Sequence, residues 1–190
     1  MNNTEIETGT IFYNVYKQNI NIKQFTNWLY YKANEIEINN HYGCDYYFEL
    51  INIDYTDKYA YSNLCNILES KIDFGYQETQ KILSICSQLI NKEGNVIELL
   101  SRMYDLYCNG YSFLRFLGLS YVSNGLDNKK NNESVIICNI QGRLISEAVR
   151  LKEFLELKQI VIIDEFQYKD NRELKDRIEL TDINSMLNYD

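Results

Sequence analysis

The sequence predicts an α+β protein whose helical N-terminal portion spans residues 1–122 and whose smaller α/β portion spans residues 133–190. Three observations support this prediction. Proline is absent from all 190 residues, which favours helices without interruption. Apolar residues recur at helical spacing over most of the first portion. Two runs rich in β-branched residues follow the polar segment 123–132, which we interpret as a loop between two domains or within a single one.

The first clear helical pattern begins after Asn21, which we expect to be its N-cap, because Phe25, Trp28 and Leu29 recur at helical spacing. Residues 1–20 fit a short helix less clearly. Residues 46–53 fit a helix or a strand, and their poor alternation of apolar and polar residues favours the helix. A turn is expected over residues 54–57, and a helix over residues 58–71.

Glycine residues mark the helix boundaries that we predict for the next stretch of the chain. Gly75 is expected to break it, and Gly94 and Gly110 are expected to end the two helices that follow. Asn95, with Glu98 three residues later, predicts a capping box at the start of the second of these helices. The aromatic stretch 111–121 is then expected to form a short helix or a buried turn.

The α/β portion is predicted to contain a βαβ-like unit. The apolar runs 135–138 and 160–163 indicate two strands, and the amphipathic stretch 143–158 between them indicates a helix. A strand, a helix and a strand in this order favour a right-handed parallel crossover. Two strands need partners, so a further strand is expected near the N-terminus or over residues 166–168.

Composition excludes several classes of protein. The formal net charge is −8 and lysines and arginines are scattered, which argues against nucleic-acid binding. Five widely spaced cysteines and a single histidine, His41, match no zinc pattern and no secreted disulfide framework. The first residues do not form a secretory signal, and no apolar run is long enough to span a bilayer. We therefore expect a cytoplasmic protein with no membrane partner, no cofactor and no bound metal.

The most informative segment runs from residue 35 to residue 57. It contains six carboxylates, and no lysine or arginine lies between Lys32 and Lys58. Aromatic residues are interleaved with the acids, a combination suited to capturing a basic protein. The predicted partner-binding residues are the six acids and two tyrosine anchors: Glu35, Glu37, Asp45, Tyr46, Glu49, Asp54, Tyr55 and Asp57.

Two alternatives remain open on sequence grounds. Asp164, Glu165 and Glu173 could serve a metal-dependent hydrolase or nuclease, since an Asp followed by Glu-x-Lys binds magnesium in such enzymes. In that class of nuclease the Glu-x-Lys lies on a buried strand, whereas here it lies in a densely charged stretch that is typical of a solvated surface, and the net charge argues against a DNA substrate. The aromatic band between Tyr104 and Tyr121 could instead serve a structural or regulatory module that dimerises, although packing in the core or at the seam between the two halves is the favoured interpretation.

Two stretches, Phe25-Thr26-Asn27-Trp28-Leu29-Tyr30 and the ten residues from Tyr46 to Tyr55, carry a resemblance. Over about its first 70 residues the chain resembles small acidic bacterial immunity proteins, which are encoded beside polymorphic or contact-dependent toxins. The resemblance implies a protein that binds its cognate toxin, often a basic nuclease, and blocks the toxin's active site. The prediction is therefore a non-catalytic immunity protein.

Overall fold

The computed structural model describes residues 3–126 and 133–178. The chain divides into two compact units, Met1–Gln77 and Glu78–Asp190, and the division lies within one helix. Residues 123–126 of the predicted loop belong to the second unit, and residues 127–132 lie outside the described residues. Most described residues are helical and they include one small sheet, so the predicted mainly helical α+β class is confirmed.

The first unit contains five helices and the start of a sixth: α1 (Asn3–Tyr16), α2 (Ile22–Leu29), α3 (Lys32–Tyr42), α4 (Cys44–Ile51), α5 (Ala60–Glu69) and α6 (Phe74–Asn91). Asn21 caps α2 as predicted: its side chain accepts from the Gln24 N–H, and its own N–H donates to the Gln24 side chain, which completes a capping box. Phe12 lies at the centre of the core. The centroid of its ring is 5.4–6.4 Å from the ring centroids of Phe25, Trp28, Tyr42 and Tyr46.

The second unit contains the rest of α6 and α7 (Val96–Cys108), a 3₁₀ turn (Ser112–Leu114), α8 (Arg115–Ser123), α9 (Glu133–Glu156), the strands β1 (Ile160–Asp164) and β2 (Gln167–Asp170), and a second 3₁₀ turn (Leu174–Asp176). Asn95 caps α7, but it accepts its bond from the N–H of Ile97, two residues on, and not from Glu98. Gly75 does not break the chain: it lies in the first turn of α6, which Asp73 caps by accepting from the Tyr76 N–H.

The predicted βαβ-like unit is wrong. Residues 135–138 belong to α9, and the strands β1 and β2 pair antiparallel as a hairpin. Short β-branched runs fit a strand or a buried helix equally well, and Ile140, Leu144 and Ala148 continue the apolar stripe of this run at helical spacing. The partner of β1 comes from residues 167–170, overlapping the stretch where the sequence predicts a further strand.

Helices α7 and α8 pack closely at Gly118. A Cβ atom there would lie 2.9 Å from the Cβ of Tyr107 and 3.3 Å from the Met103 carbonyl oxygen. We expect Gly118→Ala to destabilise the fold by roughly 1–3 kcal/mol, because two backbones would have to separate. Urea denaturation followed by circular dichroism measures this change.

The matched control for this substitution is Gly142→Ala in the middle of α9, where an added Cβ meets no atom within 4 Å. That substitution should stabilise the helix by about 0.5–1 kcal/mol, because alanine restricts the unfolded chain and glycine does not. Equal effects of the two substitutions on the free energy of unfolding would show that the close approach at Gly118 does not constrain the residue at that position.

Candidate partner-binding surface

Helix α4 places acidic and aromatic side chains on one exposed face. Asp45, Phe48 and Glu49 are three and four residues apart, so they share one side of the helix, and all three are exposed. We call these three residues the α4 face. Phe48 is 55% exposed, whereas Tyr46, Tyr47 and Leu50 on the other side of the helix are buried. The face therefore presents a phenyl ring between two carboxylates.

Gly43 positions this face by allowing a sharp turn between α3 and α4. Its φ of 91° is unfavourable for residues with a Cβ. Its N–H donates to the Asn39 carbonyl oxygen at the end of α3, and its own carbonyl accepts from the Tyr47 N–H in α4. The two helices are therefore joined without a loop, and Asp45 lies in the first turn of α4, where the helix dipole favours a carboxylate.

The carboxylates of the α4 face differ in their partners from the acids that precede them. Within the described part of the chain, neither Asp45 nor Glu49 forms an ion pair. The other two acids that precede them are partnered: Glu35 accepts from the Lys32 ammonium at 2.8 Å, and Glu37 lies 3.4 Å from His41. Asp45 and Glu49 therefore differ from Glu35 and Glu37, whose carboxylates lie beside Lys32 and His41.

Asp54 and Asp57 stabilise the turn between α4 and α5. Asp54 accepts from both the N–H and the hydroxyl of Thr56, at 2.9 and 2.6 Å, and these bonds lower its pKa. Asp57 accepts from the Tyr59 N–H at 2.7 Å. Both carboxylates are exposed, but they already act as local hydrogen-bond acceptors in the turn.

Neither predicted tyrosine anchor is exposed. Tyr46 is 6% exposed, and its hydroxyl donates to the Ile67 carbonyl oxygen. Tyr55 is half-buried against Phe25 and donates to the Leu50 carbonyl oxygen at 2.8 Å. Burial raises the pKa of both phenols. Both side chains pack within the first unit, which leaves Phe48 as the exposed aromatic residue of the α4 face.

Tyr47 interacts with residues of both α4 and α3. Its ring lies 6.5 Å from that of Phe48, and its pKa is raised by burial and then by the nearby charge of Glu35. Glu35 therefore lies close enough to Tyr47 to affect it, although the charge of Glu35 is shared with Lys32. Phe48 was not among the predicted anchors, but its position three residues after Asp45 and one before Glu49 is the signal that identifies it.

The residues of the alternative metal site have other partners. Asp164 ends β1 and accepts from the Glu165 N–H at 2.7 Å, while Glu173 forms an exposed ion pair with Lys175 at 2.7 Å. Among residues 3–126 and 133–178, no group of three or more His, Cys, Asp or Glu side chains is arranged to hold a metal ion. The same part of the chain has no helix both long and apolar enough to cross a membrane.

The predicted aromatic band is largely core. Tyr111, Phe113 and Phe116 are buried in the second unit, and the half-buried rings of Tyr104 and Tyr121 pack against each other at 5.9 Å. The Tyr111 hydroxyl accepts from the Phe166 N–H at 2.9 Å and so holds the turn of the hairpin. These contacts explain the aromatic band as a set of residues that pack inside the second unit.

Comparison of the chain with protein-family models, with curated proteins and with solved structures gives no significant match. The resemblance to immunity proteins accordingly stays a prediction.

Proposed function

We propose that this chain is a non-catalytic, immunity-type protein that binds and neutralises a basic toxin through the α4 face. The observation that supports the proposal is the exposed ring of Phe48 between Asp45 and Glu49, neither of which has an ion-pair partner among the described residues. Aromatic residues are enriched at the centre of protein interfaces, and charged residues are more common at the rim that surrounds it.

The two kinds of side chain have different tasks in this proposal. The carboxylates attract a partner rich in Lys and Arg over long range and so raise the association rate. The ring of Phe48 enters an apolar pocket of the partner and slows dissociation. Binding should therefore weaken with added salt mainly through the association rate, because ions screen the carboxylates but do not affect burial of the ring.

Charge reversal of the α4 face tests the proposal. The tagged chain is used to capture a basic protein from host lysate at low salt, and the affinity for that protein is then measured. Each of Asp45→Lys and Glu49→Lys should weaken binding by about tenfold or more. Phe48→Ala should raise the dissociation rate by a similar factor, with little change in the association rate.

The matched control is Glu153→Lys, which makes the same charge change at an exposed position of α9. It should bind as tightly as the unsubstituted chain. Equal weakening by Glu153→Lys and Glu49→Lys would mean that net charge alone drives the association. Unchanged affinity in Asp45→Lys, Phe48→Ala and Glu49→Lys would remove the α4 face from the interface.

A further inference from the structure

Helix α9 turns an uncharged face to the solvent. The chain has no charged residue between Glu133 and Arg143, although charged residues make up 24% of it. The buried residues of α9 lie on one side of the helix, and a set of exposed residues three or four positions apart lies on the other. We call this exposed set the α9 stripe; its members are Val135, Cys138, Asn139, Gly142, Ser146 and Val149. An exposed helix face without charge is suited to contact with another protein.

Two valines mark the ends of the α9 stripe. Val135 is 59% exposed and Val149 is 47% exposed, although valine is among the residues most often buried. Gly142 lies between them, seven residues from each. Seven residues are close to two helical turns, so these three residues lie on one line along the helix. The stripe therefore has an apolar side chain at each end and a residue without a side chain at its centre.

The packing of the chain does not by itself require a glycine at the centre of the stripe. A Cβ atom on Gly142 would meet no atom within 4 Å, and a glycine inside a helix costs roughly 0.5–1 kcal/mol relative to alanine. The Ser146 hydroxyl donates back to the Gly142 carbonyl oxygen at 3.0 Å, so this side chain also stays close to its own helix. The middle of the stripe is therefore flat enough for a second backbone to approach closely.

The α9 stripe is symmetric about Gly142. Val135 and Val149 lie seven residues before and after it, and Cys138 and Ser146 lie four residues before and after it. When two copies of one helix cross antiparallel at a two-fold axis, a residue before the axis faces the residue equally far after it in the other copy. Val135 would then face Val149 of the second copy at both ends of the contact, and Cys138 would face Ser146.

We propose that two copies of this chain form an antiparallel dimer through the α9 stripe, with the two-fold axis at Gly142. The pattern is self-complementary, which an interface between identical surfaces needs and a contact with an unrelated partner does not. The valines supply apolar contact, and the glycines allow the helices to approach. Two copies that each carry a net charge of −8 repel each other, and an uncharged contact does not add to that repulsion. The dimer does not depend on the α4 face.

The dimer should be weak and should strengthen with salt. The stretch from Val135 to Val149 is about 21 Å long, and one pair of helices of this length buries less than the roughly 1,200 Å² of a stable interface. We therefore expect a reversible equilibrium with a dissociation constant on the order of 100 µM. Added salt screens the repulsion between acidic copies, whereas it should weaken the capture of a basic protein by the α4 face.

Sedimentation equilibrium of the full chain, at about 10 µM to 1 mM, tests the proposal. A reducing agent prevents disulfides between exposed cysteines such as Cys138 from mimicking the dimer. Val149→Lys should weaken dimerisation at least tenfold, because it places a charge in an apolar contact. The matched control is Leu157→Lys, at an apolar residue 60% exposed just beyond α9, and it should leave the equilibrium unchanged. A monomer at every concentration, or equal loss in both variants, would overturn the proposal.

Paired charges test the antiparallel arrangement. Val135→Lys combined with Val149→Glu places a lysine opposite a glutamate at both ends of the contact, so it should recover most of the affinity that Val149→Lys loses. Val135→Lys combined with Val149→Lys should not recover it, although the two added cations reduce the overall repulsion between copies. Recovery in both double variants, or in neither, would contradict the antiparallel pairing.

Gly142→Leu tests the position of the axis. The chain has space for a Cβ atom at this residue, so circular dichroism at low concentration should show an intact helical fold. Dimerisation should nevertheless weaken at least tenfold, because the leucine side chains would hold the two helices apart. A dimer as tight as that of the unsubstituted chain would show that the helices do not cross at Gly142.

Discussion

Replacing Arg150 with methionine is expected to destabilise the second unit by roughly 3 kcal/mol or more, the usual cost of removing one partner of a buried ion pair. Glu147 is 6% exposed, and Arg150 holds its carboxylate with two hydrogen bonds of 2.8 and 3.1 Å. Arg150 also donates to the Asp176 carbonyl oxygen. Methionine keeps much of the side-chain volume but leaves a buried charge without its donor.

This destabilisation should depend on pH in a defined direction. Burial raises the pKa of Glu147 above its ordinary value of 4.5, and Arg150 opposes that rise. The folded state therefore holds this proton more tightly than the unfolded state does, and ionising Glu147 costs stability as the pH increases above 4.5. Without Arg150 the pKa rises further, so the stability deficit should be larger at neutral pH than at pH 4.5 and below.

Urea denaturation of Arg150→Met and of the unsubstituted chain, at neutral and at acidic pH, measures the deficit. Lys152→Met is the matched control on the same helix, because Lys152 forms only a long, exposed ion pair with Glu156 at 3.8 Å. It should change stability by about 0.5 kcal/mol or less. A deficit in Arg150→Met that is equal at both pH values would show that its origin is lost packing and not the buried charge of Glu147.

Replacing Phe12 with alanine should destabilise the first unit by roughly 3–5 kcal/mol. The Phe12 side chain has no exposed surface, and its ring joins α1 to aromatic residues of α2, α3 and α4. Removing it leaves a cavity among rings that cannot all move inward. The fluorescence of Trp28, the single tryptophan, reports this directly because its ring lies 6.0 Å from that of Phe12.

Phe48→Ala is the control for this prediction, since the chemical change is the same and Phe48 is largely exposed. It should alter the unfolding free energy by about 0.5 kcal/mol or less while weakening the proposed partner interaction. Should Phe12→Ala fail to fold, Phe12→Leu gives a smaller loss of about 1 kcal/mol. Equal stability of the Phe12 and Phe48 variants would contradict the assignment of Phe12 to the core.

Periodicity and capping residues were enough to predict the helical class and several element boundaries. Asn21 and Asn95 cap helices where the sequence placed them, and Gly110 follows the end of α7, because these signals depend on interactions within a few residues. The run at residues 135–138 was misassigned since a short β-branched stretch has no local feature that separates a strand from a buried helix.

The candidate partner-binding surface, like the fold, could be predicted from the sequence only in part. The sequence by itself determined the concentration of acidic and aromatic residues between Glu35 and Asp57, because charge and residue type need no fold to be counted. Only the tertiary structure decided which of them face outward: Tyr46 and Tyr55 pack against residues from other helices, whereas Phe48 stays largely exposed. Burial depends on contacts between distant segments, which the spacing of residues along the chain does not reveal.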